Sequence, residues 1–365
     1  MTLSFYIARR FIWTFLKVLG VFFGIMLLID TIDQIRSLSG KDAGVTAALH
    51  LAALNVPESL YRILPLIVVL AAISLFIGLA RSSELVVVRA AGRSGLRFLV
   101  APVLAALFCG VLSVAMFNPL VAATTKLYDT AQAEIARGGA SVLSVTGGGL
   151  WLRQGSETGQ TVIQAARSNQ DGTELYRASF VLFDATGLPM ERIEANVARL
   201  VPGAWELEGA KRWDLTAQNP EQAATTPADG STIPSNLTRE GIRDSFGSPS
   251  AIPFWALPAY IAGLERAGFS ARNHQVWFQM ELAQPLLLAA MVLVAAGFTM
   301  RHARFGKTGS LVLLAVLSGF AIFFLRNFAQ VLGENGQIPV LLAAWAPPLA
   351  ASMMALGLLL HLEDG

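Results

Sequence analysis

The sequence predicts a polytopic α-helical membrane protein: six hydrophobic helices, grouped three and three, flank one soluble β-rich domain held outside the cytoplasm. Three observations predict it. Of 365 residues, 54% are hydrophobic and only 14% charged, against about 25% charged in soluble globular chains. Charged residues thin out over 11–29, 63–80, 98–121, 282–300, 310–330 and 340–360. Each stretch is near the roughly 20 apolar residues that cross about 30 Å of hydrocarbon. Residues 130–250, in contrast, have the composition of a soluble domain. The domain plan is therefore 1–121 for helices one to three, 122–281 for the β domain with its connecting segments, and 282–365 for helices four to six.

The first apolar stretch follows Arg9 and Arg10, as in a signal peptide. Its run continues from Phe11 to Ile29 and ends on Asp30-Thr31-Ile32-Asp33 rather than on a small-x-small cleavage site, so it is expected to stay as a membrane helix. Cytoplasmic loops carry excess Lys and Arg. With the N-terminus inside, the inner side holds nine: Arg9, Arg10, Arg81, Arg89, Arg93, Arg97, Arg301, Arg304 and Lys307. The short outer segments 30–62 and 331–339 hold three, Arg36, Lys41 and Arg62. Both termini are thus expected in the cytoplasm and residues 122–281 outside it. Cys109 is the one cysteine and lies in the third apolar stretch, so the outer domain must fold without an internal disulfide. The net charge of +2 gives no sign of nucleic-acid binding; the basic residues sit at helix ends.

In the outer domain, strands are expected at Thr161–Ala166, Leu175–Phe183, Arg192–Leu200 and Trp205–Leu215, separated by turn formers such as Asp184-Ala185-Thr186-Gly187 and Pro202-Gly203. Residues 192–200 alternate polar and apolar, as a strand with one buried face should. Residues 217–235, rich in Ala, Thr, Pro and Gln, look like a flexible excursion. A compact antiparallel sandwich or jelly roll follows, serving as a ligand-binding domain or as a spacer.

The inner turn between helices two and three, Arg81 to Gly92 and Arg93, is the most informative stretch. Ser82 or Ser83 can cap a short helix with Glu84 in its first turn; Leu85, Val88 and Gly92 then fall near one face, and Gly92 would end it. The residues alone leave two readings open. One is a short amphipathic helix that grips a cytoplasmic motor, and the other a plain re-entrant loop whose arginines only fix topology.

The same stretch resembles the lipopolysaccharide-export permeases, the paired F and G subunits that work with a cytoplasmic ATPase. Their inner loop pattern R-S-E-L-x-V-x-x-A-x-G is matched by Arg81, Ser83, Glu84, Leu85, Val87, Ala90 and Gly92, with one extra serine. Ile32-Asp33-Gln34-Ile35-Arg36 after helix one is similar as well. Gly149-Leu150-Trp151, Trp277-Phe278-Gln279 and Gln284-Pro285 look more like the G type than the F type. The resemblance covers the whole chain: three helices, a periplasmic β-jellyroll, three helices.

The resemblance implies the permease subunit of an ATP-driven exporter in the bacterial inner membrane. It would extract lipopolysaccharide from the outer leaflet and pass it to a periplasmic bridge protein. It implies a heterodimer with a paralogous F subunit, a cytoplasmic ATPase dimer on Arg81, Ser83, Glu84, Leu85, Arg89 and Gly92, and surrounding membrane lipid. A single-helix C subunit would seat on Gly20 and Gly24 of helix one, whose small-x-x-x-small spacing permits close approach. Lipopolysaccharide carries phosphates and carboxylates on an acyl body, so cations are implied at the outer rim of an apolar cavity. Arg36 and Lys126 match basic positions of the family, and Arg62 lies in the same outer region. Asp30, Ser37 and Asp129 stand where well-known G subunits carry basic residues, which makes this rim less cationic. Arg326, a charge inside helix five, is expected to face a cavity or a partner, either touching lipid phosphate near the lateral gate or else snorkelling or pairing with a partner-subunit carboxylate. Lys17 is expected to snorkel to the inner surface.

No catalytic residue, metal site or cofactor is expected. Gly306-Lys307-Thr308 lacks the glycine five residues earlier that a phosphate loop needs, since that position is Arg301, so ATP hydrolysis is assigned to a partner chain. His50, His274, His302 and His361 form no HExxH pattern. A secondary transporter would need midplane carboxylates, and the apolar stretches two to six contain none. A membrane scaffold with a partner-binding outer domain is the other alternative.

Overall fold

Helix or strand follows from composition here, because apolar runs without water must satisfy their backbone internally, while the polar middle can alternate along strands. The computed structural model describes residues 2–38, 44–82, 84, 95–136, 142–146, 149–156, 159–169, 172–184, 187–235, 237–238, 248–266, 268–300 and 308–364. The helices are α1 (Thr2–Ser37), α2 (Val45–Arg81), α3 (Gly95–Leu112), α4 (Asn118–Ala136), α5 (Leu257–Arg266), α6 (Arg272–Thr299), α7 (Thr308–Glu334) and α8 (Val340–Asp364). A π-helical turn, Ser113–Phe117, joins α3 to α4 without a break. The chain divides into two compact units. A membrane unit comprises Met1–Asp129, Ser250–Trp255 and Arg272–Gly365, and a β unit comprises Thr130–Pro249 and Ala256–Ala271.

The membrane unit bears out six apolar spans, Leu3–Ser37, Val45–Arg81, Gly95–Gln132, Arg272–Thr299, Gly309–Glu334 and Val340–His361. Several run well past their apolar windows at the end away from the chain termini. At 1.5 Å per residue the 37 residues of α2 reach about 55 Å, beyond the roughly 30 Å of hydrocarbon. The centre is built by α2 and α6, where Ile67, Val68, Phe76, Leu288, Met291 and Ala295 are fully buried. A Cβ on Gly110 of α3 would lie 2.4 Å from Pro285 Cα of α6, so glycine lets these two backbones touch. Arg272 ties the start of α6 to its neighbours. Its guanidinium donates to the carbonyls of Gly333 at 2.6 Å and Ile338 at 2.7 Å, closing the C-terminus of α7 and the turn before α8.

The β unit holds one antiparallel sheet with strands β1 (Val142–Thr146), β2 (Gly149–Ser156), β3 (Gly159–Ser168), β4 (Glu174–Asp184), β5 (Pro189–Val201), β6 (Ala204–Glu208), β7 (Lys211–Asp214) and β8 (Ser231–Pro234). The order is β1-β2-β3-β4-β5-β6-β8, with β7 continuing along β5. The sheet curls so that its two ends meet. Buried Gln154 on β2 donates to Pro234 O at 3.1 Å and accepts from Ser235 Oγ at 2.8 Å. One core results, with Trp205, Phe180, Ile163, Leu150 and Leu175 fully buried and Leu264 of α5 packed among them. This is the inserted jellyroll-like β domain.

Two expectations change. Residues 217–235 are not a loose excursion: Thr225 bridges Arg212 with both backbone bonds at 2.9 Å, and β8 pairs with β6. The expected strand 205–215 is interrupted at Gly209, whose φ of +63° favours glycine, although β6 and β7 keep one register against β5.

The interruption is part of a line that crosses four strands. Burial follows odd numbers and then even ones along β3 (Ile163, Ala165, then Ser168), β4 (Leu175, then Ala178, Phe180), β5 (Ile193, Ala195, then Ala198) and from β6 into the link to β7 (Trp205, Leu207, then Ala210). Each strand contributes one extra residue at the step, near Ala166, Arg177, Asn196 and Gly209, so strand pairing stays in register while the in/out phase flips. Arg177 meets this demand with a φ of 52°, a conformation that costs a non-glycine residue about 1 kcal/mol.

Candidate functional site

At the end of the membrane unit away from the termini, α1, α2 and α4 are laced by a polar collar. Asp30 accepts from Asn55 at 3.2 Å and Ser59 at 3.4 Å, which ties α1 to α2. Gln34 donates to the Tyr128 hydroxyl at 2.9 Å, which ties α1 to α4. Glu58 accepts from Arg62, Thr125 and Ser250, each at 3.1 Å. Side-chain oxygens so placed satisfy donors that would be costly near hydrocarbon. Asp30 thus holds two helices together.

Three predicted residues lie on this collar. Arg36 is exposed two residues beyond Gln34, Lys126 is exposed two before Tyr128, and Arg62 projects with 70% of its side chain accessible while bonded to Glu58. The Gln34–Tyr128 bond therefore holds the segments carrying Arg36 and Lys126 side by side.

Arg326 is elsewhere. It is buried inside the bundle, 8% exposed, with its charge facing Glu281 and Tyr61. Tyr61 of α2 donates its hydroxyl proton to Glu281 of α6, and Asn118, at the start of α4, bonds both. Counting 1.5 Å per residue from Arg272 and Glu334, Glu281 and Arg326 lie at nearly one level, about 12–14 Å from the helix ends. The network joins helices from both groups of three. Glu281, within the span Arg272–Thr299, corrects the expectation that helices two to six lack an interior carboxylate. Hydropathy starts helix four one residue after it, yet α6 begins at Arg272 because the polar side chains of its first turns find partners.

Asn118 also connects this network to Ser250–Trp255. Its Oδ1 accepts the Phe254 N–H at 2.8 Å, and the Trp255 indole donates at 3.3 Å to the carbonyl of Ala115, within the π-turn. Phe254 stacks on Phe278 of α6, 5.2 Å between centroids. A π-turn shifts the helical hydrogen-bond ladder by one residue, and here a carbonyl in that turn accepts from outside the helix. Sequence reading missed this strap and the network; Pro249, Pro253 and the aromatic pair Phe254-Trp255 were its only visible marks.

At the other end of the membrane unit, Glu84 accepts from Arg10 of α1 at 2.6 Å and from Ser82 at 2.7 Å. Partial burial raises its carboxyl, but the bonds from Arg10 and Ser82 and the Arg10 charge more than offset that, so Glu84 is held below the ordinary carboxylate range. Arg81 is exposed beside it. Ser83, Leu85, Arg89 and Gly92 lie outside the described residues, as do Arg301 to Lys307. Gly20 and Gly24 sit on an exposed face of α1, and beyond that helix's own backbone and the adjoining residues nothing among the described residues comes within 4 Å of a Cβ built on either.

Residues 5–361 match the family described as lipopolysaccharide export system permease LptF/LptG. The chain is 24% identical to the lipopolysaccharide export system permease protein LptG of Haemophilus influenzae over 371 aligned residues, covering 100% of this chain and 99% of that one. It is also 24% identical to the LptG protein of Escherichia coli K12, covering 98% and 97%.

Proposed function

Since this chain belongs to the LptF/LptG family of lipopolysaccharide export permeases, we propose that it is the G-type subunit of an ATP-driven exporter whose polar collar receives the lipid's anionic head. The observation that carries this reading is the collar itself, where Arg36, Arg62 and Lys126 stand at one end of an apolar bundle whose nearby helix faces expose Leu28, Ile32, Leu120 and Leu127. Cations above an apolar wall match an amphiphile with phosphates on an acyl body. The collar faces the periplasm, the chain termini face the cytoplasm, and the β unit forms the first stretch of the lipid's path toward the bridge protein.

Hydrolysis of ATP belongs to a partner ATPase dimer. Arg81, Ser83, Glu84, Leu85, Arg89 and Gly92 form its docking loop, with the Arg10–Glu84 pair fixing where that loop leaves α2. Gly20 and Gly24 seat the single helix of a C subunit, and a paralogous F subunit completes the cavity. Arg326 acts from inside the bundle, holding α7 against α2 and α6 so that the wall below the collar keeps its shape.

The test is lipopolysaccharide binding to the chain with its partners in nanodiscs. Replacing Arg36, Arg62 and Lys126 together by Ala removes three charged contacts, and binding is expected to weaken at least about tenfold, since a hydrogen bond to a charged group contributes roughly 1.5–3 kcal/mol. Unchanged binding removes the rim assignment.

A further inference from the structure

We propose that the polar face of the β unit carries a second binding site, for an acidic saccharide. The phase flip across β3, β4, β5 and β6 creases the sheet, and on the side away from the core the crease opens a cavity of about 640 Å³, within the range of small-molecule sites. Its lining has the donors and acceptors a sugar acid requires. Arg177 and Arg192 supply guanidinium groups, which recognise carboxylate or phosphate with two parallel bonds. Gln164, Asn196 and Ser179 supply amides and a hydroxyl suited to sugar hydroxyls.

Two features set this concavity apart from ordinary strand polarity. Arg177 sits at the crease in a left-handed conformation, φ 52°, and makes no ion pair among the described residues, whereas Arg192 pairs with Glu194 and Lys211 with Glu221. A long, exposed cation kept in a disfavoured backbone state in the lining of a cleft is the kind of outlier that marks ligand sites. Beside it the Asn196 amide lies over Gly209, where a Cβ would come within 2.3 Å of Nδ2, so the pocket wall depends on that glycine. Trp213 closes one side, with the Lys211 ammonium 4.7 Å from its ring centre, which places a reporter fluorophore at the cavity wall.

The site does not rest on the export reading, because the crease and its lining belong to the β unit alone. The full chain in detergent is titrated with glucuronate, glucose 1-phosphate and neutral glucose, following tryptophan fluorescence against a Trp213→Phe control and heat by calorimetry. Saturable binding of either acidic sugar is expected, with glucose at least tenfold weaker. Arg177→Gly, which removes the guanidinium and suits the positive φ, should weaken acidic-sugar binding by about tenfold, the loss of one charged hydrogen bond. Arg192→Gln serves as the second variant should Arg177→Gly not fold. Displacement of glucuronate by deacylated lipopolysaccharide oligosaccharide assigns the ligand to the exported lipid; absence of displacement assigns it to a soluble acidic saccharide. Both outcomes support the site. It is overturned if no acidic sugar binds saturably up to 10 mM (roughly the weak limit of a specific small-ligand site), if glucose binds equally, or if the folded variant binds as the parent does.

Discussion

Removing Arg326 discriminates between a buried staple and a lipid contact. Its guanidinium is buried opposite Glu281, which is itself 1% exposed and bonded to Tyr61. Arg326→Met therefore strips the countercharge from a carboxylate that cannot reach water. Breaking a buried pair by removing one partner costs about 3–5 kcal/mol, and insertion scales price a single uncompensated charge in a membrane helix at roughly 3 kcal/mol. Taking about 3 kcal/mol, and 2–4 °C per kcal/mol for a domain of this size class, Tm should fall by roughly 6–12 °C. The companion change Glu281→Gln should restore much of that loss, because both charges then go together. The assay is thermal unfolding of the purified chain in detergent for the parent, Arg326→Met, Glu281→Gln and the double variant. A single variant that melts with the parent, or a double variant no better than Arg326→Met, refutes the staple. Lost lipid binding at unchanged Tm would return Arg326 to the lipid path.

Asn118→Ala leaves the buried Phe254 N–H without its acceptor, a loss of about 1–3 kcal/mol, and should speed chymotryptic cleavage after Phe254 or Trp255 more than Ser250→Ala does. Gly209→Ala forces a Cβ into the Asn196 amide at a φ of +63°; a loss of about 1–2 kcal/mol is expected in the melting of the β unit. Glu84 has a carboxyl below its ordinary range when folded, so what its pair with Arg10 contributes is complete above the unfolded value and lost only as pH falls through the lower folded value. Association with the proposed ATPase partner should then be flat between pH 6 and 8 where Glu84 governs it, while Glu84→Gln weakens it throughout. The two side chains are about one-third exposed, so the pair itself contributes no more than about 1 kcal/mol to stability.

The sequence makes the six spans legible because each is a long run of one polarity, and such runs survive any tertiary arrangement. It hides their ends. The first turns of α6 read as soluble chain since Arg272, Gln279 and Glu281 are polar, and only the folded neighbours Gly333, Trp345 and Tyr61 make them interior residues. Strands β3 to β5 are visible from alternation, but the flip of phase at Asn196 is not. Val197 and Ala198 both fit an apolar position, and the choice of Ala198 as the buried one depends on a distortion shared with Arg177 and Gly209 on neighbouring strands. The collar was half visible: Arg36, Arg62 and Lys126 are legible as charges near helix ends, whereas Asp30 and Glu58 acquire their roles as ties only once three helices are placed together.

The central claim, that this collar receives lipopolysaccharide in transit, is tested most directly by site-specific photocrosslinking. A benzophenone amino acid at position 36 or 126 is compared with one at position 104, where Leu104 is 58% exposed on α3 away from the collar. The chain is expressed with its proposed partners, the ATPase being either active or hydrolysis-deficient. Lipopolysaccharide adducts are expected at 36 and 126, with a yield that changes with ATPase activity, and few at 104. Equal adducts at all three positions, or none at 36 and 126 under either condition, would contradict it.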